Sequence, residues 1–123
     1  MAASKKAIEN ANRLRYVRAL ERFHKGMISF LSNTQDLTPE KYAKKIQSSL
    51  KLLLRVEEIA LYKGELQELQ KLVKKMIAYQ DSEEDIQNIK EELLYLSNQL
   101  DKSKNARRYK KEKHSKSHYE DWD

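Results

Sequence analysis

The sequence predicts an all-α protein, and three observations carry the prediction. Two glycines and one proline in 123 residues leave little material for hairpin turns. Apolar residues recur at alternating three- and four-residue spacings over most of the chain, the period of a helix face. Charged residues make up 36% of the chain, as helices with wet outer faces require. The expected architecture is a compact antiparallel bundle of three to five helices over residues 1–101, with a flexible basic C-terminal tail over 102–123. A chain of this length is one domain, and about 100 foldable residues suffice to bury a core.

The first element is expected over residues 4–32. Tyr16, Leu20, Phe23, Met27 and Phe30 follow a 4-3-4-3 spacing, with Val17, His24, Ile28 and Leu31 beside them. At roughly 100° per residue, Arg15, Arg18, Arg22 and Lys25 fall on the opposite side. The helix thus has one face for the core and a basic ridge facing elsewhere. Residues 33–37 form a short polar connector, of ordinary length between antiparallel neighbours.

The stretch over residues 38–80 organises the rest. It opens on Thr38, a capping residue, then Pro39 at the first helical position and Glu40 in the positive first turn. Leu52, Ile59, Leu66 and Val73 recur every seven residues, interleaved with Tyr62, Leu69 and Met76. Ile46, Leu50, Leu53, Leu54 and Val56 widen the apolar surface. Unbroken, this helix would run about 63 Å at 1.5 Å per residue, too long for so small a domain. Gly64 costs about 1 kcal/mol against alanine inside a helix, so a break or sharp bend is expected near it. A second junction falls at 80–82, where Asp81 or Ser82 can cap a helix whose first turn holds Glu83, Glu84 and Asp85. Ile86, Ile89, Leu93, Leu96 and Leu100 form the last seam. Beyond it the lysine-rich chain buries too little apolar surface to offset its ordering entropy, and reads as a mobile tail that can be helical in its first turns.

The net charge of +6 is unevenly spread. Residues 1–26 carry seven bases against Glu9 and Glu21, a net +5. Residues 102–118 carry eight bases against Glu112, a net +7, and the acids Glu120, Asp121 and Asp123 follow. The middle is mildly acidic. Basic ends point to polyanion contact. The absence of cysteine excludes disulfides, thiol chemistry and Cys-ligated zinc. No apolar run of membrane-spanning length occurs, and residues 1–6 are no secretory signal, so a soluble nuclear protein is expected, with the cytoplasm as alternative.

Catalysis is not expected. No Gly-rich phosphate loop or HExxH is present, and no nucleophile lies near a plausible base. Glu57-Glu58, Glu83-Glu84 and Glu91-Glu92 read as solvated helix surface. His114 and His118 have the i, i+4 spacing of a metal pair but no clear third ligand, so no metal and no cofactor is assigned.

Two basic groups are candidates for nucleic-acid contact: Arg15, Arg18, Arg22 and Lys25 on the ridge, and Arg107, Arg108, Lys110 and Lys111 in the tail. The second also has the composition of a nuclear-localisation cluster. The C-terminal Tyr119-Glu120-Asp121-Trp122-Asp123 sets two aromatics among acids, as a short docking motif does, or as a self-contact with the basic tail would.

The stretch 13–100 resembles the integrase-binding domain of the LEDGF-type chromatin coactivators, within the helical modules like the TFIIS N-terminal domain. The residues that carry it are Arg13-Leu14-Arg15, the run LKLLLRVE over 50–57, and Leu72-Val73-Lys74-Lys75-Met76-Ile77-Ala78-Tyr79. The resemblance implies a non-catalytic module that grips short acidic-aromatic peptides between two interhelical loops. Tyr79 would then pack on the peptide, with Asp36 and Leu37 on the other loop. Asp81 departs from the pattern, standing where the family has an apolar residue, and 33–36 lacks the family's apolar loop residue.

The expected function is a protein–protein interaction module in a nuclear chromatin- or transcription-associated complex, with auxiliary electrostatic contact to nucleic acid. Its partners would be helical segments or acidic-aromatic peptides, not membranes. The alternatives are a direct, non-sequence-specific nucleic-acid-binding protein, and an obligate coiled-coil subunit of a larger assembly.

Overall fold

The first helix, α1, spans Lys5–Asn33 and buries Tyr16, Ala19, Leu20, Phe23, Met27 and Leu31 along one stripe. A computed structural model describes residues 5–116 of the chain, with side chains described through Lys102. Phe30 lies at the edge of the α1 stripe, half-buried, and Leu31 takes the fully buried place. The first turns of α1 stand clear of the core, with Ile8 and Leu14 each 50% exposed.

Leu37 turns inward from the loop that follows, and helix α2, Pro39–Leu54, begins where its signals fall. Thr38 is extended, and its Oγ1 accepts a 3.1 Å hydrogen bond from the Lys41 amide, satisfying one of the orphan donors of the first turn. Tyr42, Ile46 and Ser49 form the buried stripe of α2. Ser49 Oγ donates to the Met27 sulfur at 4.0 Å, tying α2 to α1.

The break expected near Gly64 is present, but it is a nine-residue segment that precedes the glycine and not a bend at it. The helix ends at Leu54, residues 55–63 are non-helical, and Gly64 is the first residue of α3, Gly64–Ala78. Leu52 and Ile59 therefore share no helical face with Leu66 and Val73, and Tyr62 is 76% exposed instead of lying in a seam. Leu54, expected to widen the core surface, is 82% exposed. The cause is tertiary. Leu61 is buried in the core and Val56 and Ile59 pack against it, so the segment has its own hydrophobic anchors without being helical. Arg13 fixes it from α1: its Nε donates to the Ala60 carbonyl at 3.0 Å, and its guanidinium lies 4.8 Å from the Tyr62 ring centre. Gln67 Nε2 donates to the Leu61 carbonyl at 2.8 Å, and Lys74 pairs with Glu58 at 3.2 Å.

Helix α3 buries Leu69, Leu72, Val73 and Met76 and ends in a 3-10 turn, Tyr79–Asp81. The next helix, α4, spans Ile86–Lys116. Its cap is Asp85, whose carboxylate accepts from the amides of Gln87 and Asn88 at 3.2 and 3.4 Å. Asp81 and Ser82 do not take that role; Ser82 Oγ accepts from the Glu84 amide in the turn before the helix, so Glu83 and Glu84 precede α4. Ile89 and Leu93 are fully buried and Ile86, Leu96 and Leu100 pack partly against the core, so this seam closes within the chain.

Past Leu100, α4 continues to Lys116, further than the first few helical turns expected of a mobile tail. Extending a helix already nucleated by packing adds one hydrogen bond per residue, and Lys, Arg, Ala and Glu are good helix formers. Arg107, Arg108, Lys110 and Lys111 lie on this extension, but their side chains fall outside those described. Tyr119 and Trp122 lie outside the described residues.

Among the described residues the chain is thus an all-α bundle of four helices without strands. α1 packs on α2 and α3 on α4 as two antiparallel pairs, and α1 also contacts α3 and α4. No described helix is long and apolar enough to cross a membrane.

Candidate functional site

Where α1, α3 and α4 come together, the core is open to solvent along one side. The apolar series of α4 is fully buried at Ile89 and Leu93 but only partly at Leu96 and Leu100. The result is a groove of about 540 Å³ between the three helices. Ile28 of α1, Leu66 and Leu69 of α3 and Leu100 of α4 supply its apolar lining. His24 Nε2 and Ser97 Oγ share a 2.8 Å hydrogen bond within it, joining α1 to α4, with Ser97 buried. Glu21 and Lys25 line the α1 side, and Glu65 and Asp101 belong to α3 and α4.

The ridge of α1 reaches this groove. Arg15, Arg18, Arg22 and Lys25 are all exposed, as their helical phase requires, and Lys25 is a lining residue of the groove. One continuous surface therefore carries an apolar slot and, running from its edge, a row of cations about 15 Å long at 1.5 Å per residue. Such a surface can hold apolar side chains and electrostatically favour anionic groups beside them.

The two loops expected to grip a peptide behave differently. Leu37 is buried in the core, so its side chain is not available on the loop surface. It stands alone as an apolar residue among the polar ones between α1 and α2, and burying it stabilises the connection more than exposing it would. Asp36 is exposed, and its carbonyl accepts a 2.7 Å bond from Lys41 Nζ. Tyr79 is half-buried at the end of α3. Its hydroxyl donates to the Glu92 carboxylate, while Lys75 lies 5.9 Å from its ring centre and pairs with Glu92 at 3.2 Å. The hydrogen bond to Glu92, then burial and the nearby acids Glu92 and Glu84, raise the Tyr79 hydroxyl to about 12. The same hydrogen bond, and then Lys75, hold the Glu92 carboxyl below its ordinary value. Tyr79 is thus engaged with α4 through its hydroxyl, with Lys75 near its ring and the side chain packed partly against the core.

The groove and the Tyr79–Glu92 bond are not visible in the sequence. The Lys75–Tyr79 pair has i, i+4 spacing and is legible in principle. Glu92 and the groove walls join only when the helices pack. Among the described residues no group of three or more histidines and acids is placed to hold a metal ion.

No family model, curated protein or solved structure matches this chain.

Proposed function

We propose that the chain is a non-enzymatic protein–protein interaction module in a nuclear, chromatin- or transcription-associated assembly. Its groove takes the apolar face of a partner helix or of a short acidic-aromatic peptide, in the helix-in-groove manner. One observation carries this reading: Lys25 belongs both to the apolar groove and to the exposed basic ridge. A partner seated on Ile28, Leu66 and Leu100 brings its flanking acids alongside Arg22 and Arg18. The nuclear address is supported by the basic cluster at 107–113 and by the resemblance to the LEDGF-type modules. Ridge and tail add sequence-independent, salt-sensitive contact with nucleic acid.

Direct nucleic-acid binding is the second reading, and the exposure of all four ridge cations on one face favours it. The two separate in a fluorescence-anisotropy titration of the full chain with a labelled acidic amphipathic peptide and, separately, a random-sequence DNA duplex. Ile28→Glu should weaken peptide binding by more than about tenfold, a 1.4 kcal/mol effect, whereas R15E/R18E/R22E weakens it only a few-fold. Peptide affinity untouched by Ile28→Glu, with DNA affinity abolished by the charge reversal, would transfer the function to nucleic-acid binding.

A further inference from the structure

A second groove, of about 410 Å³, runs between α3 and α4, and its charged rim has a pattern of its own. Along α3 the lining residues are Glu65, Glu68, Lys71 and Lys75, two acids followed by two bases on one helical row. Leu72, Leu96 and Leu100 supply the apolar lining. Tyr95, 61% exposed, lies one residue before Leu96 and one turn before Gln99, which also lines the groove.

A row with acids at one end and bases at the other is complementary to itself when reversed. A two-fold axis perpendicular to α3 near Gln70 brings Glu65 of one copy level with Lys75 of the other, and Glu68 beside Lys71. An isologous interface needs this property, since each surface must be its own partner. Tyr95 sits at the same level of the bundle as Leu72, because Lys75 pairs with Glu92 across the two antiparallel helices and Tyr95 and Leu72 are each three residues further inward. The aromatic ring therefore stands near the proposed axis, where a buried anchor contributes most.

The geometry points to self-association: the α3–α4 face is a homodimer interface in which the reversed charge rows set the register and Tyr95 of each copy seats in the partner's Leu72–Leu96–Leu100 groove. The Glu68–Lys71 pair within the row is no obstacle. Glu68 and Lys71 stand 3.9 Å apart with side chains 62% and 75% exposed, and exposed pairs of that kind contribute little. The charges give specificity, and the apolar centre gives the affinity.

The experiment is sedimentation equilibrium of the full chain over a wide concentration range, at low and physiological salt. A reversible monomer–dimer equilibrium is expected, with dissociation favoured by salt. Tyr95→Ala should weaken it by about tenfold or more. E65K/E68K and K71E/K75E should each be monomeric alone, yet form a heterodimer when mixed. The fourfold swap E65K/E68K/K71E/K75E should dimerise again. Because Lys75 also pairs with Glu92, circular-dichroism melting accompanies each variant, and Tyr95→Ala with E65K/E68K decides the matter if K71E/K75E is unfolded. A native chain monomeric at every concentration overturns the inference. So does a dimer indifferent to both Tyr95→Ala and E65K/E68K.

Discussion

The Tyr42 hydroxyl donates a 2.6 Å hydrogen bond to the main-chain carbonyl of Met76, inside the core and across thirty-four residues of sequence. Burial pushes the Tyr42 hydroxyl well above its ordinary value, so it remains a donor throughout the working pH range. The bond fixes α2 against the last turn of α3, where carbonyls lose their helical partners. Tyr42→Phe should cost about 1–3 kcal/mol, because the carbonyl is left buried and unsatisfied. A urea titration should show the midpoint falling with its slope unchanged.

Thr38→Ala tests the entry into α2. Removing the side-chain acceptor leaves the Lys41 amide without its cap, an expected loss of about 1 kcal/mol. Thr38→Ser should recover most of it, since the serine hydroxyl reaches the same amide. Equal stability of all three chains would show that the cap contributes nothing.

Gly26→Ala should stabilise the protein. Gly26 lies inside α1 with no positive φ, and an added Cβ meets nothing within 4 Å. Alanine removes backbone freedom from the unfolded chain at no steric cost, a gain of about 0.5–1 kcal/mol. The readout is a melting temperature a few degrees higher.

Glu92 predicts an acid-side effect. Its carboxyl lies below the ordinary 4.5, so the unfolded chain binds the proton more readily than the native one. Its contribution is present above about pH 4.5 and is lost as pH falls through the lower native value. In Glu92→Gln the amide oxygen can still accept from Tyr79, so the variant should lose stability at neutral pH but show a shallower decline on acidification. Parallel stability curves for the two chains would remove Glu92 from the acid response.

The α1 ridge makes a prediction about salt. R15E/R18E/R22E should leave the melt nearly unchanged, since all three side chains are exposed. If ridge cations neutralise DNA phosphates, the slope of log affinity against log salt should shrink by about 0.9 for each phosphate no longer neutralised.

The sequence is readable where structure is local. The phases of α1 and α4, the cap at Thr38 and the exposed ridge all follow from residues within a turn or two of each other. The segment 55–63 imitates helix: it contains neither glycine nor proline, and Val56, Ile59 and Leu61 keep an apolar rhythm. What holds it out of a helix is tertiary: Leu61 is buried in the shared core with Val56 and Ile59 against it, and Arg13, 47 residues before Ala60, bonds the Ala60 carbonyl. The start of α4 lies later than its local signals suggest, because Asp81, Ser82 and Asp85 all have the chemistry of a cap and only packing selects Asp85. Of the candidate site, the cations are legible and the groove is not, since Ile28, Leu66 and Leu100 share no local pattern.

The segment 55–63 divides the molecule in a way its continuous core conceals. On either side of it lies a complete helical pair, α1 with α2 and α3 with α4. Nothing in the strap itself has to be covalently intact for those pairs to meet, because Leu61 and Ile59 belong to the shared core and Arg13 holds the main chain. The expected consequence is that the protein can be divided into two complementary pieces. A chain cut at the exposed Glu57-Glu58 should stay together as a noncovalent complex, and two peptides made separately on either side of that point should find each other and refold.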